Sequence, residues 1–164
     1  MTKILLVEDD KSLREIYSVR LLAEGYTLIS SGDGEEALAA AIGEKPDLII
    51  SDVMMPKISG FEMLDLLRSN DATKNIPVIM LTALSSEQQR ERGDRLGADR
   101  YLIKSQVGIE DIVRTVHEVL GDDGANRNLD QMQTSVATSA VHPAQSASGT
   151  SVVSPQPQAS SPLF

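Results

Sequence analysis

The sequence predicts an α/β fold, a doubly wound, five-stranded parallel sheet covered by five helices. Three observations carry that expectation. Short apolar runs rich in branched residues alternate five times with segments of helical period, which is the pattern of repeated strand–helix units. The strand runs are apolar on consecutive residues, as strands buried on both faces require. At 164 residues, 41% of them hydrophobic, the chain can build one domain with a full core but not two.

Ile4, Leu5, Leu6 and Val7 form the first strand run, followed by Leu13, Ile16, Tyr17 and Leu21 at helix spacing, with Gly25 as the stop. Residues 26–30 read as the second strand and 34–43 as the second helix. The third strand spans 47–51 and the third helix 61–69. Residues 77–81 and 100–103 make strands four and five. The segment 88–96 is charged and contains Gly93, so a loosely packed helix is expected there. Ile109, Ile112, Val113, Val116 and Leu120 share one face of the last helix. Right-handed crossovers then leave few topologies open.

Beyond Gly121 the composition changes. From Asn126 onward the only charged residues are Arg127 and Asp130, amid Ser, Ala, Gln, Thr and Pro. Such a segment buries too little apolar surface to offset its ordering entropy. The expected organisation is therefore a folded domain over 1–121 and a disordered, low-complexity tail over 122–164.

Composition also excludes functions. A formal charge of −9 and a pI near 4.6 argue against direct nucleic-acid binding, which needs a basic face to displace counterions. Aromatics at 3% and the lack of Trp speak against a base-stacking platform. The absence of cysteine removes disulfides, thiolate metal sites and thiol catalysis. The N-terminal MTKILLVEDD lacks the apolar stretch of a signal peptide, and no apolar run suffices to span a bilayer. A cytoplasmic protein without membrane contact is expected.

The strand termini carry the chemistry. The first strand runs into Glu8, Asp9 and Asp10, the third into Asp52, the fourth into Thr82 and the fifth into Lys104. In a parallel sheet these ends share one edge, where such folds bind ligands. Carboxylates ~5 Å apart repel by roughly 3 kcal/mol per pair at an effective dielectric of about 20, which a cation relieves. All-oxygen ligands favour a hard ion, Mg²⁺ above others. Magnesium beside a carboxylate, a hydroxyl and a lysine suits phosphoryl transfer. Each piece has an ordinary reading too. Asp10 reads as a helix N-cap, Glu8 or Asp9 as a solvated loop acid, Thr82 as a strand residue, Lys104 as surface, and Asp52 as a turn residue. Their coincidence at four strand ends favours chemistry.

These residues resemble the receiver domain of two-component response regulators, of the stand-alone, chemotaxis-regulator-like kind. The resemblance covers residues 1 to about 121. It rests on LLVEDD, DLIISDVMMP with Gly60 beyond it, VIMLTA, GAD at 97–99, and YLIK. It implies a flavodoxin-like sheet of order 2-1-3-4-5, with Asp52 as phosphoacceptor. It further implies Mg²⁺ held by Asp9, Asp52 and the backbone carbonyl of Met54, with Glu8 acting through water. Thr82 would bind a phosphoryl oxygen, Lys104 would pair with the acyl phosphate, and Pro56 and Gly60 would shape the intervening loop. Thr82 and Tyr101 would form the switch: Thr82 moves toward the phosphate, and Tyr101 fills the vacated space and alters the output face.

The implied function is a single-domain response regulator that accepts a phosphoryl group from a histidine kinase and switches a protein-interaction surface. No effector region is evident, so output is expected through a downstream protein, with phosphorylation-dependent homodimerisation as a further state. It is not an enzyme beyond Mg²⁺-dependent self-phosphorylation and autodephosphorylation. Alternatives are an intermediate phosphotransfer carrier, or a receiver-like interaction module that is not phosphorylated. One departure stands out: the family's usual proline after the lysine is Ser105 here. A cis bond to serine costs ~2.5–4 kcal/mol, so Lys104–Ser105 is expected to be trans.

Other features carry less. SGDGEEAL at 31–38 lacks the spacing of a dinucleotide or P-loop motif, so Gly32 and Gly34 read as turn residues. A phosphatase of the haloacid-dehalogenase type would need an acid where Met54 stands. His117 and His142 read as ordinary surface histidines, and Met54, Met55 and Met63 as packing residues. Met54 and Leu84, two residues beyond Asp52 and Thr82, are apolar. They predict slow loss of the phosphoryl group.

Overall fold

The structure, a computed structural model, describes residues 1–121. The expected tail, 122–164, and His142 within it lie outside the described residues. The elements are β1 (Lys3–Val7), α1 (Lys11–Ala23), β2 (Thr27–Ser31), α2 (Gly34–Glu44) and β3 (Leu48–Ser51). They continue with α3 (Gly60–Ser69), β4 (Val78–Thr82), α4 (Glu87–Leu96), β5 (Arg100–Ile103) and α5 (Ile109–Leu120). All strand pairs are parallel and the order is β2-β1-β3-β4-β5, the order that the resemblance implies.

The unbroken apolar runs of the strands are used on both faces. Ile4, Leu6, Ile50 and Leu81 meet Leu21 of α1 and Ile112 and Val116 of α5 on one side. Leu5, Val7, Ile49 and Met80 meet Ala37 of α2 and Phe61 and Leu64 of α3 on the other. Each fully buried Leu or Ile contributes about 1.5–3 kcal/mol, so these two layers hold the sheet.

Helix starts follow their caps. Asp10, Asp33, Ser59 and Ser86 each accept an amide of the first turn, and Ser59 with Glu62 makes a reciprocal capping box. Each cap satisfies an otherwise orphaned donor and contributes roughly 1 kcal/mol. Most boundaries from β2 to α4 lie one residue from the sequence expectation, and two of them have a visible cause. Tyr26 precedes β2 instead of opening it, because its amide donates to the Leu21 carbonyl (3.3 Å) and pairing with β1 begins at Thr27. Helix α2 passes Gly43 and ends at Glu44, with Lys45 in the left-handed region at φ 49°.

His117 corrects the expectation of a surface residue. Its Nε2 lies 2.9 Å from Glu24 Oε1 and its Nδ1 2.8 Å from the Tyr26 hydroxyl. Arg20 donates to Glu24 (2.6 Å) and to both oxygens of Glu110 (2.8 and 2.9 Å). The Arg20 hydrogen bond, and His117 after it, hold the Glu24 carboxyl below its ordinary range against the opposing effect of burial. The network ties α1 to α5 at the far side of the sheet.

The helix α4 is loosely packed, as its composition predicts. Gly93 is its one buried residue among those described. A Cβ there would lie 2.9 Å from the Tyr101 ring.

Candidate functional site

Register brings the strand ends together. Val7 pairs with Ser51, so Glu8 and Asp52 leave β1 and β3 side by side. The Asp52 amide donates to the Val7 carbonyl (3.1 Å), which fixes the two ends against each other. Glu8, Asp9 and Asp52 present carboxylate oxygens that all lie within 4.8 Å of one another.

Lys104, at the end of β5, reaches across this cluster. Its Nζ donates to Glu8 Oε1 (2.7 Å) and Asp52 Oδ2 (2.8 Å). Burial alone would lower the lysine, but hydrogen bonds to Asp52 and then Glu8 push it up to about 12. It is a cation at any physiological pH. Burial also dominates at Glu8, which is 2% exposed, and pushes its carboxyl up although Lys104 and the Asp10 amide pull it down. One ammonium against three carboxylates leaves a formal charge of −2. That charge and an all-oxygen donor set fit a small, hard divalent cation.

The other oxygen of Asp52 is also occupied. Oδ1 accepts from the Val53 amide (2.6 Å) and the Met54 amide (3.2 Å), so the carboxylate plane is fixed. The loop that supplies these amides is tightly closed. Ile58 N donates to Pro56 O (2.8 Å) across Lys57, whose φ of 71° is uncommon for a residue with a side chain. Gly60 N donates to Val53 O (2.8 Å), and a Cβ on Gly60 would lie 2.1 Å from the Asp52 carbonyl oxygen. Only glycine fits there.

Thr82 ends β4 and is fully buried; its Oγ1 accepts from the Leu84 amide (3.2 Å). Tyr101, on β5, is 6% exposed, and its hydroxyl donates to the Leu84 carbonyl (3.2 Å). The Leu84 backbone is thus held by Thr82 on one side and Tyr101 on the other. Asp10 stands apart from the cluster, because its Oδ1 caps α1 at Leu13 N (3.0 Å). The Lys104–Ser105 bond is trans, as is every described peptide bond.

Met54 corrects the packing expectation: it is 61% exposed, whereas Met63 is fully buried. Met54 and Leu84 line an open cleft of ≈ 570 Å³ together with Asp9, the apolar residues Val53, Met55, Pro56 and Phe61, and Gln89 and Arg92 of α4. Sequence reasoning misses Gln89 and Arg92. Nothing local in the charged sequence of α4 marks them. No described helix is long and apolar enough to cross a membrane.

Comparison with known proteins gives the arrangement its context. The family described as response regulator receiver domain matches residues 4–117. The probable transcriptional regulator ycf27 of Porphyridium aerugineum is 41% identical over 129 residues, which cover 77% of this chain and 52% of that one. The DNA-binding dual master transcriptional regulator RpaA of Synechocystis is 38% identical over 120 residues, 73% of this chain and 49% of its own. This chain thus spans about half the length of these relatives. The solved chemotaxis protein CheY4 of Vibrio cholerae superposes with a TM-score of 0.68 at 37% identity, over 73% of this chain and 98% of that one.

Proposed function

Because the chain belongs to the response regulator receiver domain family of two-component systems, we propose that Asp52 is its phosphoacceptor. On this reading the domain, residues 1–121, works in the cytoplasm as a phosphorylation-dependent signalling switch. The observation that carries the reading is the Asp52 carboxylate, oriented by two amides and a lysine inside an acidic cluster. In the transfer, an Asp52 oxygen forms a bond to phosphorus while the P–N bond of a kinase phosphohistidine breaks and imidazole leaves. Lys104 neutralises charge on the phosphoryl oxygens, and Thr82 turns its hydroxyl from the Leu84 amide to one of them. Tyr101, bonded to the same Leu84 backbone, carries that change toward the face built by α4, β5 and α5. The test is incubation of the full chain with Mg²⁺ and acetyl phosphate, followed by intact mass. A gain of one phosphoryl group is expected, and no gain from any small donor would overturn the proposal.

Asp9 and Asp52, with the Met54 carbonyl, would hold Mg²⁺, and Glu8 would contribute through water. The ion would supply charge neutralisation at the transferring phosphoryl group. Asp9→Ala is expected to weaken Mg²⁺ binding at least about tenfold, the scale of losing one direct carboxylate ligand. Asp10→Ala should instead cost about 1 kcal/mol of stability through the lost cap, with a smaller effect on the metal. Magnesium titration and thermal melting of both variants separate the roles; a greater loss of affinity in Asp10→Ala contradicts the assignment.

Hydrolysis of the acyl phosphate needs a water held in line by polar groups. Met54 and Leu84 line the cleft, and their side chains offer no hydrogen-bond donor and at most a weak thioether acceptor. The phosphorylated state is therefore expected to be long-lived. The double variant Met54→Asn/Leu84→Glu should lose its phosphoryl group about tenfold faster or more. Equal decay rates would show that this apolar gate does not set the lifetime.

Output is proposed to pass through a protein partner. The longer Synechocystis relative is described as DNA-binding. The expectation of no nucleic-acid contact is accordingly proposed for residues 1–121 alone.

A further inference from the structure

Arg92 has an unusual setting for a surface arginine. Its guanidinium carbon lies 4.6 Å from the centroid of the Phe61 ring, stacked over it. Among the described residues it makes no ion pair or hydrogen bond. The group is nevertheless aimed: it lines the cleft that holds Asp9, Met54 and Leu84, and is the only cationic side chain to do so among the described residues. Stacking on an aromatic face restrains an arginine while leaving its edge donors free.

Resting on the reading of Asp52 as phosphoacceptor, we propose that Arg92 is a donor-binding residue that pairs with the departing carboxylate of acyl-phosphate donors. The step is an in-line displacement. An Asp52 oxygen forms the new bond to phosphorus, the bond from phosphorus to the acyl oxygen breaks, and the carboxylate leaves with that electron pair. No proton is transferred.

In-line geometry places the leaving group opposite the nucleophile. Asp52 is buried and bound to Lys104, and the chain after it, from Val53 to Pro56, lines the cleft. The leaving group therefore points outward into the cleft, away from Lys104. Met54 and Leu84 cannot pair with an anion there. Arg92 can, through a charge-assisted, bidentate contact. The apolar lining of Val53, Met55, Pro56 and Phe61 would receive the acyl substituent. A donor whose leaving group is neutral gains nothing from Arg92, and this selects acyl phosphates over phosphoramidates.

The experiment compares initial rates of phosphoryl uptake from acetyl phosphate and from phosphoramidate, whose leaving group is ammonia. It uses full-length parent, Arg92→Gln and Arg92→Lys at saturating Mg²⁺, read by intact mass. The ratio of the acetyl phosphate rate to the phosphoramidate rate should fall about five- to tenfold in Arg92→Gln, and less in Arg92→Lys, which keeps the charge. An unchanged ratio overturns the inference, whether both rates drop together or neither does. No uptake by the parent from either donor overturns the phosphoacceptor reading itself, and the inference with it.

Discussion

Asp52→Asn is expected to abolish Mg²⁺-dependent phosphoryl uptake, an effect of several orders of magnitude on the rate. An amide oxygen is a far weaker nucleophile than a carboxylate. The fold should survive. Asparagine has nearly the shape of aspartate and can still accept from the Val53 and Met54 amides. Lys104 keeps Glu8 as its partner at 2.7 Å. The lost ion pair is offset by removal of one carboxylate from a cluster of three. The melting temperature should therefore stay within about 4 °C of the parent, the span of roughly 1 kcal/mol for a domain of this size. The stabilisation conferred by Mg²⁺ should shrink as well. Mass spectrometry and melting with and without Mg²⁺ check these together. Full retention of phosphoryl uptake, with the label mapped away from Glu8 and Asp9, would remove Asp52 from the role.

Gly60→Ala should be the most destabilising single-methyl change in the domain. The added carbon would lie 2.1 Å from Asp52 O, 2.8 Å from Val53 Cα and 2.9 Å from Met80 Cε. The methionine tip can swing away. The other two atoms are backbone at the end of β3, and moving them moves the Asp52 carboxylate. Overpacking costs about 1–3 kcal/mol where side chains can yield; with rigid backbone opposite, about 3 kcal/mol or more is expected. Gly43→Ala is the internal control. It sits in α2 with nothing within 4 Å of its added carbon, so it should stabilise by up to about 1 kcal/mol. Denaturant midpoints measure both. Equal stability of Gly60→Ala and parent would mean that the loop is looser than its geometry indicates.

Most of the fold is legible in the sequence because β1, β3 and β4 are apolar on consecutive residues and every helix but α4 carries an apolar stripe. The site is legible for a related reason. Glu8, Asp52 and Lys104 each follow a strand run directly, so locating the strands locates the groups. What escapes is whatever depends on side-chain direction across elements. Nothing local distinguishes Arg92 from the other arginines of α4; only the proximity of Phe61, 31 positions earlier, makes it a cleft residue. His117 is missed likewise, since its partners Tyr26 and Glu24 come from a distant turn. Met54 has the composition of a packing residue, yet the tight loop after Asp52 turns it outward. Strand boundaries shift by one residue where a backbone amide finds a non-sheet partner, as at Tyr26.

The sparse packing of α4 has a consequence for where the molecule opens. Of its ten residues only Gly93 is buried, while α3, of equal length, buries Gly60, Phe61, Met63, Leu64 and Leu67. Glycine in a helix interior forgoes about another 1 kcal/mol relative to alanine. The free energy for opening α4 locally therefore lies far below that for opening α3, and well below that of global unfolding. Amide protons of α4 should exchange with solvent through sub-global fluctuations, and those of α3 only when the whole domain unfolds. The unevenness divides labour within one sheet edge. The helix that follows the Asp52 loop is anchored, the helix that follows Thr82 is sparsely packed, and a small bias at the strand ends moves the second more readily than the first.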